Sequence, residues 1–182
     1  MTDIDDILGD SDDAWYFPDD DDYERVAEGI YPAHIVELDI VKNKTMRKSG
    51  NTADIYKPLY QVAEESASHV GRKVKSSGIF RFKSTDPALG GNRQSTSGNR
   101  TYRSFLDVIG VEPEESKDPN TGAVKYRLPS VTGEDAYGAP VMIRVKHREY
   151  DAGGEVRISV EASLMYAWGD GERLEEKENI PF

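Results

Sequence analysis

The sequence contains no cysteine, only three histidines and no long apolar run. The absence of cysteine excludes disulfides, a cysteine nucleophile and thiolate-bound zinc, and it fits a reducing compartment. No stretch of about 18 apolar residues is present, so we expect no membrane-spanning helix. The acidic N-terminus lacks the apolar segment of a secretory signal. We therefore expect a cytoplasmic protein, and no residue pattern implies a cofactor.

Patterns that would indicate catalysis are also scarce. His34, His69 and His147 are scattered along the chain, without the spacing of metal ligands. The run Asp19–Asp22 lacks the glycine and the terminal glutamate of a calcium loop. Gly153-Gly154 is a turn signal and lacks the lysine of a phosphate-binding loop. We expect a protein without enzymatic activity or a bound metal. A nucleic-acid enzyme that uses a divalent metal and a few carboxylates stays open as an alternative.

The charge is distributed very unevenly along the chain. The formal net charge is −11, and residues 1–28 alone hold twelve acidic residues and one arginine. Residues 170–182 hold five acidic and two basic residues, whereas the segment 71–103 holds eight basic residues and one aspartate. A basic central region between acidic tails is typical of a domain that meets a polyanion.

These shifts divide the chain into three parts. Residues 1–28 are predicted to be a disordered acidic tail, 29–169 a folded domain, and 170–182 a second acidic tail. The first tail contains the aromatic segment Trp15-Tyr16-Phe17. We favour packing of these aromatic rings on the domain. The alternative is a nucleotide mimic that covers a basic groove when nucleic acid is absent.

Hydrophobic periodicity predicts mostly β-structure in the central part. Strands are expected near 31–41, 55–63, 71–83, 141–150 and 156–166, with a bend at Gly78 in the third. On the last two strands, Val141, Ile143 and Val145 are predicted to face inward, as are the alternating apolar residues from Val156 to Leu164. Residues 102–109 have the spacing of an amphipathic helix that ends at Gly110. The segment 113–123 reads as a polar turn region, with a short strand at 125–128.

Three strands, one helix and two strands is the element order of the OB-fold, a small five-stranded Greek-key barrel. Proteins of this fold that bind single strands combine a basic groove with aromatic side chains on which bases stack. Both residue types occur on the predicted strands two and three and in the adjoining loops. The candidate nucleic-acid-binding residues are Lys42, Lys44, Arg47, Tyr56, Lys57, Tyr60, Arg72, Lys73, Lys75, Phe80, Arg81, Phe82, Lys83, Arg93 and Arg100. Periodicity alone does not tell which face of strand three, that of Phe80 and Phe82 or that of Ile79 and Arg81, is inside.

The sequence after the domain carries a second signal, the acidic run that leads to Ile180-Pro181-Phe182. This tip resembles that of bacterial and phage single-stranded-DNA-binding proteins, and the segment order of the body is similar to the phage-encoded type. In the family the acids are denser, whereas here Asn179 and Lys177 interrupt them. The resemblance implies that the three tip residues recruit partner enzymes of replication, recombination and repair. It also implies a host-cytoplasmic location if the protein is phage-encoded.

We therefore predict a sequence-tolerant single-stranded-DNA-binding protein that coats and protects DNA. An adaptor that binds only proteins is the main alternative. RNA as the ligand, and assembly into homo-oligomers, are left open by the sequence.

Overall fold

The computed structural model describes residues 25–47, 52–83 and 99–175. The predicted order of three strands, a helix and two strands is confirmed, with additional short elements. The elements are β1 (Gly29–Thr45), β2 (Thr52–Val62), β3 (Lys73–Ser76), β4 (Ile79–Phe82), α1 (Arg100–Ile109), β5 (Glu114–Lys117), β6 (Val124–Arg127), α2 (Gly133–Ala136), β7 (Pro140–Ala152) and β8 (Glu155–Ala167).

The long strands close into a five-stranded barrel. Around it the order is β1, β2, β3, β8 and β7, and β7 pairs again with β1. β3 and β8 run parallel, and the other neighbours are antiparallel. The sheet therefore has no open edge at its middle, which removes the usual liability of unpaired strand edges. This closure and the single helix between the third and fourth barrel strands confirm the expected OB-fold.

Alternation of side chains explains why these segments form the barrel. On β7, Val141, Ile143 and Val145 are buried, whereas Arg144 and Lys146 are exposed, as the sequence predicts. Successive residues of a strand point to opposite faces, so an apolar residue at every second position gives each strand one buried face. The core is formed by these inward faces together with one side of α1.

α1 closes the barrel with four apolar side chains. Tyr102, Phe105, Leu106 and Ile109 are buried, and the spacing i, i+3, i+4, i+7 places them on one side of the helix. The ring of Tyr102 packs against the inward-facing Tyr56 of β2, with 4.9 Å between ring centroids. Gly110 ends the helix in the left-handed conformation, at φ 76°, as expected from the sequence.

The third barrel strand is interrupted at Gly78, which confirms the predicted bend. β3 ends at Ser76 and β4 begins at Ile79, while Gly78 has φ +103°. A side chain is strained at this backbone conformation, so glycine is the residue that permits the bend. The bend lets β3 pair with both β2 and β8, whereas β4 pairs with β2 alone.

β7 and β8 continue beyond the barrel as a two-stranded ribbon, residues 146–161. β1 pairs with β7 only as far as Val145, and β3 pairs with β8 at Glu161 and Ala162. The prediction that Val156 and Ile158 face the core is therefore wrong. They are 72% and 37% exposed, because this part of the hairpin has no barrel beneath it.

Three short elements lie between α1 and β7. β5 and β6 form a separate two-stranded sheet, so part of the segment expected to be a turn is the strand β5. The residues of β5 are all polar and exposed, which gives no hydrophobic periodicity to detect. α2 is a single turn with a capping box between Thr132 and Asp135.

Both ends of the described chain pack onto the barrel. Val26 is buried in the core, although it falls within the predicted first tail. In the predicted second tail, the Glu172 carbonyl accepts a hydrogen bond from His34 Nε2 at 2.8 Å. The amide of Leu174 donates to the Gly138 carbonyl at 2.9 Å. Contacts with the barrel thus extend to Leu174, and residues 1–24 and 176–182 lie outside the described part of the chain. Neither described helix has the length and hydropathy needed to cross a membrane.

Candidate nucleic-acid interface

The register of β2 with its neighbours defines one solvent-facing surface of the barrel. Ile55 lies opposite Phe80 of β4 and Val41 of β1, and Leu59 lies opposite Lys75 of β3. Residues that are directly opposite in an antiparallel pair point to the same side of the sheet. The outward residues of these strands therefore share one surface, here called the β2–β4 face: Glu37, Asp39, Val41, Lys44, Ile55, Lys57, Leu59, Gln61, Lys73, Lys75, Phe80 and Phe82.

Two aromatic rings stack on this face. The rings of Phe80 and Phe82 have centroids 5.8 Å apart and planes that differ by 13°. Both side chains are half-buried, so each ring still presents surface to solvent. A Cβ on Gly78 would lie 3.5 Å from Ile55 Cγ2 and 3.7 Å from Phe80 Cε2. The bend in the strand thus lies beside the first ring. Which face of strand three is inside, left open by the sequence, is thereby resolved: both phenylalanines face outward.

Lysines flank the rings on the β2 and β3 side. Lys57, Lys73 and Lys75 are exposed, and Lys44 lies opposite Ala53, the neighbour of Phe82 in the ladder. The acidic residues Glu37 and Asp39 lie on the β1 side of the same face. A positive margin beside an aromatic pair is the combination that lets a backbone of phosphates run alongside stacked bases. The positive charge of this face therefore lies on the β2 and β3 side of the two rings, away from the acidic residues of β1.

Side-chain hydrogen bonds join neighbouring elements of the fold at the Phe82 end of this face. The Asn99 side chain accepts from the Phe82 amide at 2.8 Å and donates to the Phe82 carbonyl at 3.3 Å. Asn99, the residue before α1, is thereby joined to the last residue of β4. Lys83 Nζ donates to Asn43 Oδ1, which ties the end of β4 to the end of β1. Asn99 is not among the residues expected at this face. It precedes α1 but makes no helix-capping hydrogen bond with its side chain, so no sequence pattern indicates its contact with Phe82.

Two aromatic candidates lie inside the barrel instead. Tyr56 and Tyr60 are fully buried, and their assignment to the binding surface is wrong because neither ring can meet a base. Burial raises the pKa of Tyr60 well above its usual range. Strand parity was a usable signal here, since Lys57 and Tyr56 are adjacent and must point to opposite faces. Lys57 is exposed, so Ile55 and Leu59, two positions away on either side, lie on the same outward face of β2.

Arg81 also points inward. Its guanidinium forms a salt bridge with Asp54 at 3.0 Å, and Arg81 Nε donates to the Leu128 carbonyl at 3.0 Å. Asp54 is 5% exposed, and its second oxygen accepts from the Asn43 amide at 2.9 Å. The assignment of Arg81 to phosphate binding is wrong in this structure, because its charge balances a buried carboxylate.

The remaining candidates fall into three groups. Lys42, Arg47, Lys83 and Arg100 are exposed at the margins of the face, next to the loops. Arg72 is half-buried beside the start of β3. Arg93, Ile180, Pro181 and Phe182 lie outside the described residues, so their assignments stay predictions.

Elsewhere the described residues include an open depression and no metal-binding cluster. The depression has a volume of about 680 Å³. Its lining residues are Val36, Glu37, Leu38, Thr132, Gly133, Glu134 and Tyr137. Among residues 25–47, 52–83 and 99–175, no three histidine, aspartate or glutamate side chains come together to hold a metal ion. His34, His69 and His147 each hydrogen-bond to main-chain atoms of the packed ends of the chain.

Comparison with models of known protein families and with curated proteins finds no match to this chain. The OB-fold and the geometry of the β2–β4 face are therefore the features of the molecule that bear on its function.

Proposed function

We propose that the protein binds single-stranded DNA, with little dependence on sequence, on the β2–β4 face. The observation that carries the proposal is the stacked pair Phe80 and Phe82 on the solvent side of an OB-fold barrel, beside a margin of lysines. Every base has a π-face, so aromatic stacking tolerates any sequence, and lysines contact the phosphates that all sequences share.

The proposed role follows from this mode of binding. The protein would coat and protect single strands during replication, recombination and repair, in a phage if the family resemblance holds. The segment Ile180-Pro181-Phe182 would recruit partner enzymes, as the resemblance implies. Its apolar side chains and the preceding acidic residues fit a basic, partly apolar pocket on a partner.

The first test is a titration with oligo-dT, oligo-dU, oligo-U and duplex DNA of equal length, each at two salt concentrations. We expect tight, salt-sensitive binding of both DNA oligonucleotides and weak binding of the duplex, whose bases are not available for stacking. Equal affinity for oligo-U and oligo-dU would extend the ligand class to RNA. No binding of any single strand would contradict the proposal and favour the protein adaptor.

The contribution of the lysines to binding can be tested from the dependence of the affinity on salt concentration. Each phosphate contact to a single strand contributes about −0.7 to the slope of log K against log salt. Replacing Lys57, Lys73 and Lys75 with serine should therefore make the slope shallower by about 2. The matched control replaces Arg144, Lys146 and Arg148 with serine, since these residues lie on β7, which pairs with neither β2 nor β3. An equal change in both variants would show that binding depends on total charge and not on the β2–β4 face.

A further inference from the structure

The ribbon formed by β7 and β8 carries a second basic surface, which meets the β2–β4 face at Glu161, the β8 residue that lies opposite both Lys75 and Lys146. Arg144, Lys146 and Arg148 are exposed on one side of β7, and their partners on β8 are Ser163, Glu161 and Ser159. One acidic residue thus faces three bases. Arg157, further along, is paired with Glu155 at 3.7 Å. The three β7 residues keep a net positive stripe that no described residue neutralises fully.

Large apolar side chains border this stripe. Ile30 lies opposite Arg144, Tyr166 lies opposite Met142, and Tyr150 lies opposite Arg157. Ile30, Tyr150 and Tyr166 are 47%, 45% and 54% exposed. The surface defined by these three residues and the three basic residues is here called the ribbon face. Its chemistry suits an occupant that is both acidic and aromatic.

The chain itself supplies such a segment at the edge of the ribbon. The Val26 carbonyl accepts a hydrogen bond from His147 Nε2 at 2.8 Å, and Glu28 Oε1 accepts from the His147 amide at 2.9 Å. The sequence on the N-terminal side of Val26 contains Trp15-Tyr16-Phe17 and four successive aspartates, Asp19–Asp22. The tail therefore begins at the edge of β7, on the opposite side of the strand from the basic stripe.

We propose that the segment Trp15–Asp22 docks on the ribbon face of its own chain. The aspartates would lie against the basic stripe and the aromatic rings against the exposed apolar side chains. His147 is on the opposite side of β7 from the stripe, so the tail has to cross the edge of β7. That edge is free of β1 beyond Val145. Three residues lie between Asp22 and Val26, so the Cα atoms of these two residues are about 13 Å apart in an extended chain, which is enough to cross one strand.

This site differs from the nucleotide-mimic hypothesis, in which the same segment covers the DNA-binding groove. Charge alone would send the tail to either basic surface. Attachment at His147 favours the ribbon face, because a short tether raises the local concentration of the tail there. The inference does not depend on the barrel binding nucleic acid, and its test contains none.

Trp15 is a suitable reporter, because the chain has only one other tryptophan, Trp168. In the full chain carrying Trp168→Phe, acrylamide quenching measures the exposure of Trp15 alone. The difference between the unmodified chain and Trp15→Phe gives the same quantity without altering Trp168. We expect Trp15 to be shielded at low salt and released at about 1 M salt, where the Debye length is about 3 Å.

Two matched triple variants decide which surface is used. Serine at positions 144, 146 and 148 should raise the Trp15 quenching constant severalfold, whereas serine at 57, 73 and 75 should leave it unchanged. Release by the second variant would place the segment on the β2–β4 face and overturn the proposal. Shielding that varies with protein concentration would show docking between copies, and a Trp15 as accessible as in a free 1–28 peptide would show no docking. Either result would also overturn it.

Discussion

Removal of the two stacked phenylalanines is the sharpest test of the binding face. Stacking of a base on an aromatic side chain contributes about 1–3 kcal/mol by alanine substitution. Phe80 and Phe82 are half-buried, so part of each ring is already covered by the protein. We therefore expect Phe80→Ala and Phe82→Ala each to lose about 1–2 kcal/mol, which is about 5- to 30-fold in the affinity for oligo-dT.

The double variant should lose less than the sum of the two single losses. The rings contact each other in a near-parallel arrangement, with centroids 5.8 Å apart, so removing one leaves the other less well positioned. A coupling of about 0.5–1.5 kcal/mol is expected for such a pair. Affinity is measured by fluorescence anisotropy of labelled oligo-dT at fixed salt, and thermal unfolding checks that each variant folds.

Tyr166→Ala is the matched control, because this exposed ring lies on β8, across the barrel from β2. We expect its effect on affinity to stay below about twofold, since residues outside the contact surface are energetically near-neutral. If both single phenylalanine variants also stay within this limit while the lysine variant weakens binding, the rings do not stack on bases and the reasoning fails.

Three further predictions concern the fold. Asp54→Asn should destabilise the protein by about 2–3 kcal/mol in urea unfolding, because it leaves the partly buried Arg81 without its counter-charge; a loss below about 1 kcal/mol would contradict this. Burial raises the pKa of the Tyr60 hydroxyl above its usual value of 10.0. The neutral hydroxyl therefore contributes fully to the free energy of unfolding below pH 10. This contribution is lost as the pH rises further, because the unfolded chain releases the proton at a lower pH than the folded chain does. Tyr60→Phe should flatten the alkaline fall in the free energy of unfolding, and an unchanged slope would refute the assignment. Arg173 donates to the carbonyls of Tyr137 and Ile109 at 2.9 and 3.2 Å, so Arg173→Ala should speed cleavage after Glu172 by a glutamate-specific protease, with equal rates arguing against an anchoring role.

The fold was largely predictable because its strands and its helix have clear periodicities. Val141, Ile143 and Val145 alternate with charged residues, and Tyr102, Phe105, Leu106 and Ile109 repeat at helical spacing. β5 has no apolar residue and was missed, whereas the short strand expected at 125–128 is present as β6, Val124–Arg127. Val156 and Ile158 were wrongly placed in the core, because a strand pattern does not reveal how far the supporting barrel extends.

The candidate site was predictable by segment but not by side chain. β2 and β4 carry large apolar residues on both faces, so composition could not separate Tyr56, which packs under α1, from Phe80, which faces solvent. Arg81 looks like any surface arginine until its partner Asp54 is located on the neighbouring strand. Strand parity relates residues on one strand, and only the register between strands relates one strand to the next.

The packing of residues 168–174 on the barrel shortens the tether of the proposed recruitment tip. Leu174 is held at Gly138, so the eight residues beyond it reach at most about 27 Å, compared with about 44 Å for the thirteen residues 170–182. A shorter tether raises the effective concentration of a tethered group near its anchor. A partner that binds the proposed tip must therefore lie within about 27 Å of Gly138. The depression lined by Val36, Leu38 and Tyr137, beside Gly138, falls within that distance.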